Sequence, residues 1–117
     1  MSPSLPVPST TTQPRAQQVV DYLQQSTGLN AAQIERILAA VQTSLSDNLN
    51  KAENAVANGD LPTLVKACHT LKGTLLQCGL GDWAELAQAL YDGAKQGQEL
   101  TYAEQLQTIR HGLAQLI

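Results

Sequence analysis

The chain has 117 residues, a net charge of −3 and a pI of about 5.1, which suits one domain with a short tail and a core that needs neither disulfide nor metal. Its seven scattered Lys and Arg form no basic stripe, so the electrostatic footprint of a nucleic-acid binder is missing. No apolar run approaches the roughly 20 residues that span a bilayer, and the N-terminus lacks the charged start and apolar block of a signal peptide, so a cytoplasmic protein without a membrane partner is expected.

Residues 1–15, MSPSLPVPSTTTQPR, hold four of the five prolines beside a Ser/Thr cluster. Such a segment has little to bury and is expected to be a disordered tail, leaving residues 16–117 as one helical domain. One Trp, three Tyr and no Phe, against abundant Ala, Leu and Gln, favour helices over sheets. A short first helix is expected from Ala16 to about Ser26, with Val19, Val20 and Leu23 on one side and Gly28 ending it. Asn30 and Gln33 then stand at capping-box spacing. After them Ile34, Ile37, Leu38, Val41, Leu45, Leu49, Ala52 and Val56 recur at steps of three and four, which predicts a long amphipathic helix ending near Asn58-Gly59.

Asp60 can cap a third helix, with Pro62 tolerated in its first turn; this helix should run to Cys78 and stop at Gly79. Asp82 and Glu85 have capping-box spacing before a fourth helix, with Trp83, Leu86, Ala87, Leu90 and Ala94 inward. Thr101 and Glu104 repeat that spacing before a last helix, with Tyr102, Leu106, Ile109, Leu113 and Leu116 inward. The links are short, and short links between long helices make antiparallel neighbours. The fold expected is therefore all-α: an up-and-down antiparallel four-helix bundle with a short additional N-terminal helix.

The third helix carries KACHTLKGTLLQCG, residues 66–79, and places a glycine inside a helical run, where it costs about 1 kcal/mol relative to alanine. At about 100° per residue, Leu64, Cys68, Leu71, Leu75 and Cys78 form one apolar face. His69 points away from it, with Lys66, Lys72, Gly73, Val65 and Leu76 around it. An imidazole in water is in large part a neutral nucleophile at physiological pH. Lysines a turn to either side favour an incoming anion such as a phosphoryl group. Gly73, one turn along, removes the side chain that would hold a visiting surface off.

The run HTLKGTLLQCG, residues 69–79, resembles the histidine phosphotransfer (HPt) signature, His-x-Leu-Lys-Gly followed by a second Gly after five intervening residues. Residues 60–97 carry the resemblance; the flanking helices agree in pattern only. It implies a four-helix bundle that carries phosphate on a surface histidine between receiver domains of a phosphorelay. By that resemblance His69 is the phosphoacceptor, Lys72 its electrostatic support and Gly73 the clearance for the receiver, while Thr74 and Gly79 match positions of a small residue and of glycine. Val65, Lys66, Leu76 and Gln77 would form the docking surface. The partners implied are receiver domains of response regulators or hybrid histidine kinases, with the chain acting as a monomer. The Mg²⁺ of the transfer would sit on the receiver, and no cofactor is expected on this chain. One position departs from the pattern: the family often has an acidic residue directly after the leucine numbered Leu90 here, and this chain has Tyr91.

Other readings of these residues are weaker. Cys68 and Cys78 on one helix lie roughly 15 Å apart, beyond the about 7 Å that a disulfide spans, and their spacing matches no zinc pattern, so both are expected to be core thiols. His111 lacks a Lys-Gly companion and is expected on the solvated surface. No nucleotide-binding loop is present, so autonomous kinase activity is not expected. The alternative function is a bundle that docks on a receiver or kinase and inhibits it without carrying phosphate.

Overall fold

Capping chemistry sets most helix boundaries in the computed structural model, which describes residues 14–97 and 102–117. The described residues form α1 (Ala16–Thr27), α2 (Ala31–Asn58), α3 (Leu61–Gln77), α4 (Gly81–Lys95) and α5 (Tyr102–Gly112), with no strand among them. At the start of α2 the Asn30 carboxamide accepts the Gln33 backbone N–H at 2.9 Å, and Gln33 accepts the Asn30 N–H at 3.1 Å. This reciprocal pair is the expected capping box. Asp60 caps α3 by accepting the Thr63 backbone N–H at 3.2 Å and its hydroxyl at 2.6 Å, with Pro62 in the first turn.

The α2–α3 and α3–α4 links each use glycine in the left-handed region. Gly59 and Gly79 have φ of 68° and 72°. At the end of α3 the Gly79 N–H donates to Leu76 at 3.1 Å and the Leu80 N–H to Leu75 at 3.0 Å. These are the paired bonds of a Schellman ending, and the buried Leu80 and Leu75 supply the apolar contact that accompanies it. The same turn overrides the expected Asp82–Glu85 capping box. Leu80 itself stands at the N-cap of α4, with no side-chain cap, and Asp82 lies within the first turn. There its charge faces the positive end of the helix dipole instead of closing a hydrogen bond. The other expected box involves Thr101, outside the described residues. The last helix is shorter than its apolar pattern: α5 stops at Gly112, and turns carry Leu113 and Leu116 into the core.

Helices α2 to α5 form the antiparallel bundle, with α3 against α2 and α4, α5 against α2 and α4, and α1 laid on α2. The Ser44 and Thr74 hydroxyls meet at 3.3 Å between α2 and α3. Between α2 and α5, Arg110 Nε reaches both Glu53 carboxylate oxygens at 3.2 Å and its Nη2 donates to Asn50 at 2.8 Å. Gln42 donates to the Leu116 carbonyl at 2.8 Å. Gly112 lies beneath the Trp83 ring, so closely that a Cβ there would collide with it. The 28 residues of α2 rise about 42 Å, which sets the 45 Å long axis of the described residues.

The core is aliphatic, with Leu45, Leu49, Leu64, Leu71, Leu75, Leu90, Leu106 and Ile109 essentially without solvent contact. The first helix begins at Ala16, as expected. Pro14 is buried, and Arg15 Nε donates to the Gln115 carboxamide at 3.1 Å. The rest of the expected tail, residues 1–13, lies outside the described residues.

Candidate functional site

The site is defined by the register of α3. Leu64, Ala67, Cys68, Leu71 and Leu75 turn into the core. One residue on from Cys68 is about 100° round the helix, so His69 emerges exposed. Lys66 is exposed beside it, while Lys72, one turn C-terminal, is half-buried. Gly73 follows, exposed and with a negative φ, and nothing lies within 4 Å of where its Cβ would stand. Leu76, a further turn along, is 50% exposed, and Gln77 beside it is exposed as well. The expected cluster is therefore continuous over the last half of α3. Val65 differs from the rest of the expected docking set, being half-buried against the core edge.

Among the described residues nothing requires a glycine at position 73. Its backbone is ordinary helix and its surroundings are open, so alanine would fit there. Gly79 and Gly112 contrast with it. Each is covered by an aromatic ring, Tyr22 at 2.6 Å from a Cβ built on Gly79 and Trp83 over Gly112.

A second helix completes the site. Tyr91 of α4 lies against His69, ring centroids 5.6 Å apart and planes inclined at 44°. The Lys95 ammonium, one turn along α4, stands 5.6 Å from the Tyr91 centroid. At the position that departs from the resemblance, the chain thus presents an aromatic ring to the imidazole. The neighbouring carboxylate, Asp92, is engaged by the Gln88 amide at 2.7 Å. Neither Tyr91 nor Lys95 belonged to the site expected from sequence. Their spacing of four on one helix is readable, and Leu80 in the α3–α4 turn stands midway in the chain between His69 and Tyr91. An antiparallel pair pivoting there brings the two side by side.

The remaining candidates are accounted for without chemistry. Cys68 and Cys78 are free and buried; burial pushes their thiols up to about 12 and about 11, so neither is a ready thiolate. His111 is exposed on α5. The Asp60 carboxyl is held below the usual carboxylate range, chiefly by the hydrogen bonds from the Thr63 hydroxyl and backbone N–H, with the Lys66 ammonium acting in the same direction. Lys66 thus serves the start of α3 as well as the face of His69. Among the described residues no three of His, Cys, Asp and Glu come together as a metal site, and no helix is long and apolar enough to cross a membrane.

The family model described as Hpt domain matches residues 36–117. No curated protein and no solved structure matches the chain.

Proposed function

The chain belongs to the Hpt domain family, a phosphotransfer module of two-component signalling that works with receiver domains, and on that premise we propose that it is a phosphorelay carrier with His69 as its phosphoacceptor. The observation that carries this reading is the exposed His69 on one face of α3 with Lys72 and with a Gly73 that nothing among the described residues requires. In the first half-reaction the unprotonated imidazole nitrogen attacks the phosphorus of a receiver's aspartyl phosphate. The N–P bond forms as the P–O bond to the aspartate breaks, and the carboxylate leaves with the bonding pair. In the second half-reaction another receiver's aspartate attacks the phosphorus and the imidazole leaves.

The chain's own part is to present the nucleophile, stabilise charge and admit the partner. Lys72 lies one turn from His69 and would attract the phosphoryl oxygens. Gly73 leaves the backbone bare where the receiver must approach to reach in-line geometry. Leu76 and Gln77, with Lys66 and the Val65 edge, would form the contact surface around the histidine. Mg²⁺ would be held by the receiver, the carrier acting as a monomer in the cytoplasm.

The test is transfer from a phosphorylated receiver to the wild-type chain and to His69→Gln. Label on the wild type should be acid-labile and alkali-stable, and absent from the variant, whose fold is expected to be unchanged because the side chain is exposed. Near wild-type labelling of His69→Gln would remove His69 from the mechanism. Tight receiver binding with no label on the wild type would favour the inhibitory docking module instead.

A further inference from the structure

The His69 imidazole is exposed, and among the described residues no hydrogen bond to its ring is made. What touches it is an aromatic ring from the neighbouring helix. The centroid separation of 5.6 Å to Tyr91 is within the roughly 4.5–7 Å over which aromatic pairs attract beyond their buried area. Tyr91 is itself anchored: it is half-buried, packs against the core, and has the Lys95 ammonium 5.6 Å from its ring. That distance is inside the about 6 Å limit for a cation–π contact. An anchored ring thus abuts an exposed nucleophile.

We propose that Tyr91 is a positioning residue for phosphoryl transfer, its ring holding the His69 imidazole in the orientation that meets an in-line phosphoryl donor. This rests on His69 being the phosphoacceptor. A helical histidine has two accessible χ1 wells and a broad, roughly two-fold χ2, so about four orientations are open to a free ring. If one of them is competent for transfer, the unrestrained side chain is competent about a quarter of the time, and the observed rate scales with that fraction. The ring contact raises the fraction toward one. Lys95 acts one step further out, through its hold on Tyr91.

The experiment measures single-turnover transfer from a phosphorylated receiver at saturating concentration for wild type, Tyr91→Ala and Tyr91→Phe. The saturated rate of Tyr91→Ala should fall about fourfold, with less effect on the half-saturating receiver concentration. Tyr91→Phe keeps the ring and should restore the rate. Phosphorylation by phosphoramidate, which needs no docked approach, should fall less than receiver transfer in Tyr91→Ala. The ring protons of His69, followed by NMR, should move toward unstructured values in Tyr91→Ala while melting temperature and helical content report an intact bundle.

A change confined to the half-saturating concentration would make Tyr91 a docking contact and overturn the proposal. So would a Tyr91→Phe protein as slow as Tyr91→Ala, which would assign the effect to the hydroxyl. The NMR arm is independent of the relay: unchanged His69 resonances in Tyr91→Ala would sink the positioning role even if no receiver donates. Failure of the wild type to accept phosphate at all would strike the proposed function, not the ring contact.

Discussion

Two lysines flank His69, and their surroundings give them different weights. Lys72 is half-buried and one turn C-terminal to the histidine, whereas Lys66 is exposed and lies close enough to the α3 cap to help hold down the Asp60 carboxyl. Charges closer to low-dielectric surroundings act more strongly, so Lys72→Ala should slow phosphoryl transfer more than Lys66→Ala does. A loss of about 1 kcal/mol, the upper scale of exposed pairs, is roughly a fivefold slower transfer. Equal or reversed effects on the two transfer rates would deny Lys72 its electrostatic role. At this scale the sequence was informative wherever a residue's own helix determines its setting. The exposure of His69 and Gly73 and the burial of Cys68 and Leu71 all follow from the 3.6-residue period. The ring of Tyr91 did not follow, because its contact with His69 depends on how α3 and α4 pack, and periodicity along one helix is silent on that.

Helix α3 carries the reactive face on one side and the core on the other, and its glycine separates the two duties. Open space around Gly73 means that the helix would gain from a side chain there. Replacement of an interior helical glycine by alanine typically stabilises by about 0.4–1 kcal/mol. Gly73→Gln should accordingly melt at or above the wild-type temperature, yet accept phosphate from a receiver far more slowly, because the new side chain stands in the approach path. Its labelling by phosphoramidate should survive. Unimpaired transfer from the receiver would show that glycine is not there to admit a partner. Element boundaries were legible where a side chain makes the cap, as at Asn30 and Asp60, and where a left-handed glycine ends the helix, as at Gly28 and Gly59; the start of α4 was misread. The Schellman bonds after α3 bring the chain back into helix at Gly81, so Asp82 arrives too late to cap it. In α5 the apolar spacing of Leu113 and Leu116 looks helical, but turns satisfy the same burial.

At the scale of the molecule, the family match begins at residue 36, and α1 lies wholly before it. The packing nonetheless ties α1 to the bundle at several places. Val19 and Leu23 are buried in the shared core at 0% and 5% exposure, and the Tyr22 ring covers Gly79 in the α3–α4 turn. At its start, Pro14 is buried and Arg15 bonds to Gln115 near the other end of the chain. A helix of 12 residues is marginal on its own in water, so its order depends on these contacts, and the bundle in return depends on α1 to cover α2. The two should unfold together. Leu23→Ala tests this, since truncating a buried leucine costs about 2–5 kcal/mol when its site is part of the cooperative core. In urea the midpoint should fall with the slope unchanged, because the surface exposed on unfolding is the same. Phosphoramidate labelling of His69 should persist below the transition, as Leu23 does not touch the reactive face. A fall in stability below about 0.5 kcal/mol, the scale of surface substitutions, would mean that α1 opens independently of the bundle. The cooperative unit would then be α2 to α5 alone, and the contacts of Tyr22 and Arg15 would be decoration on a fold complete without them.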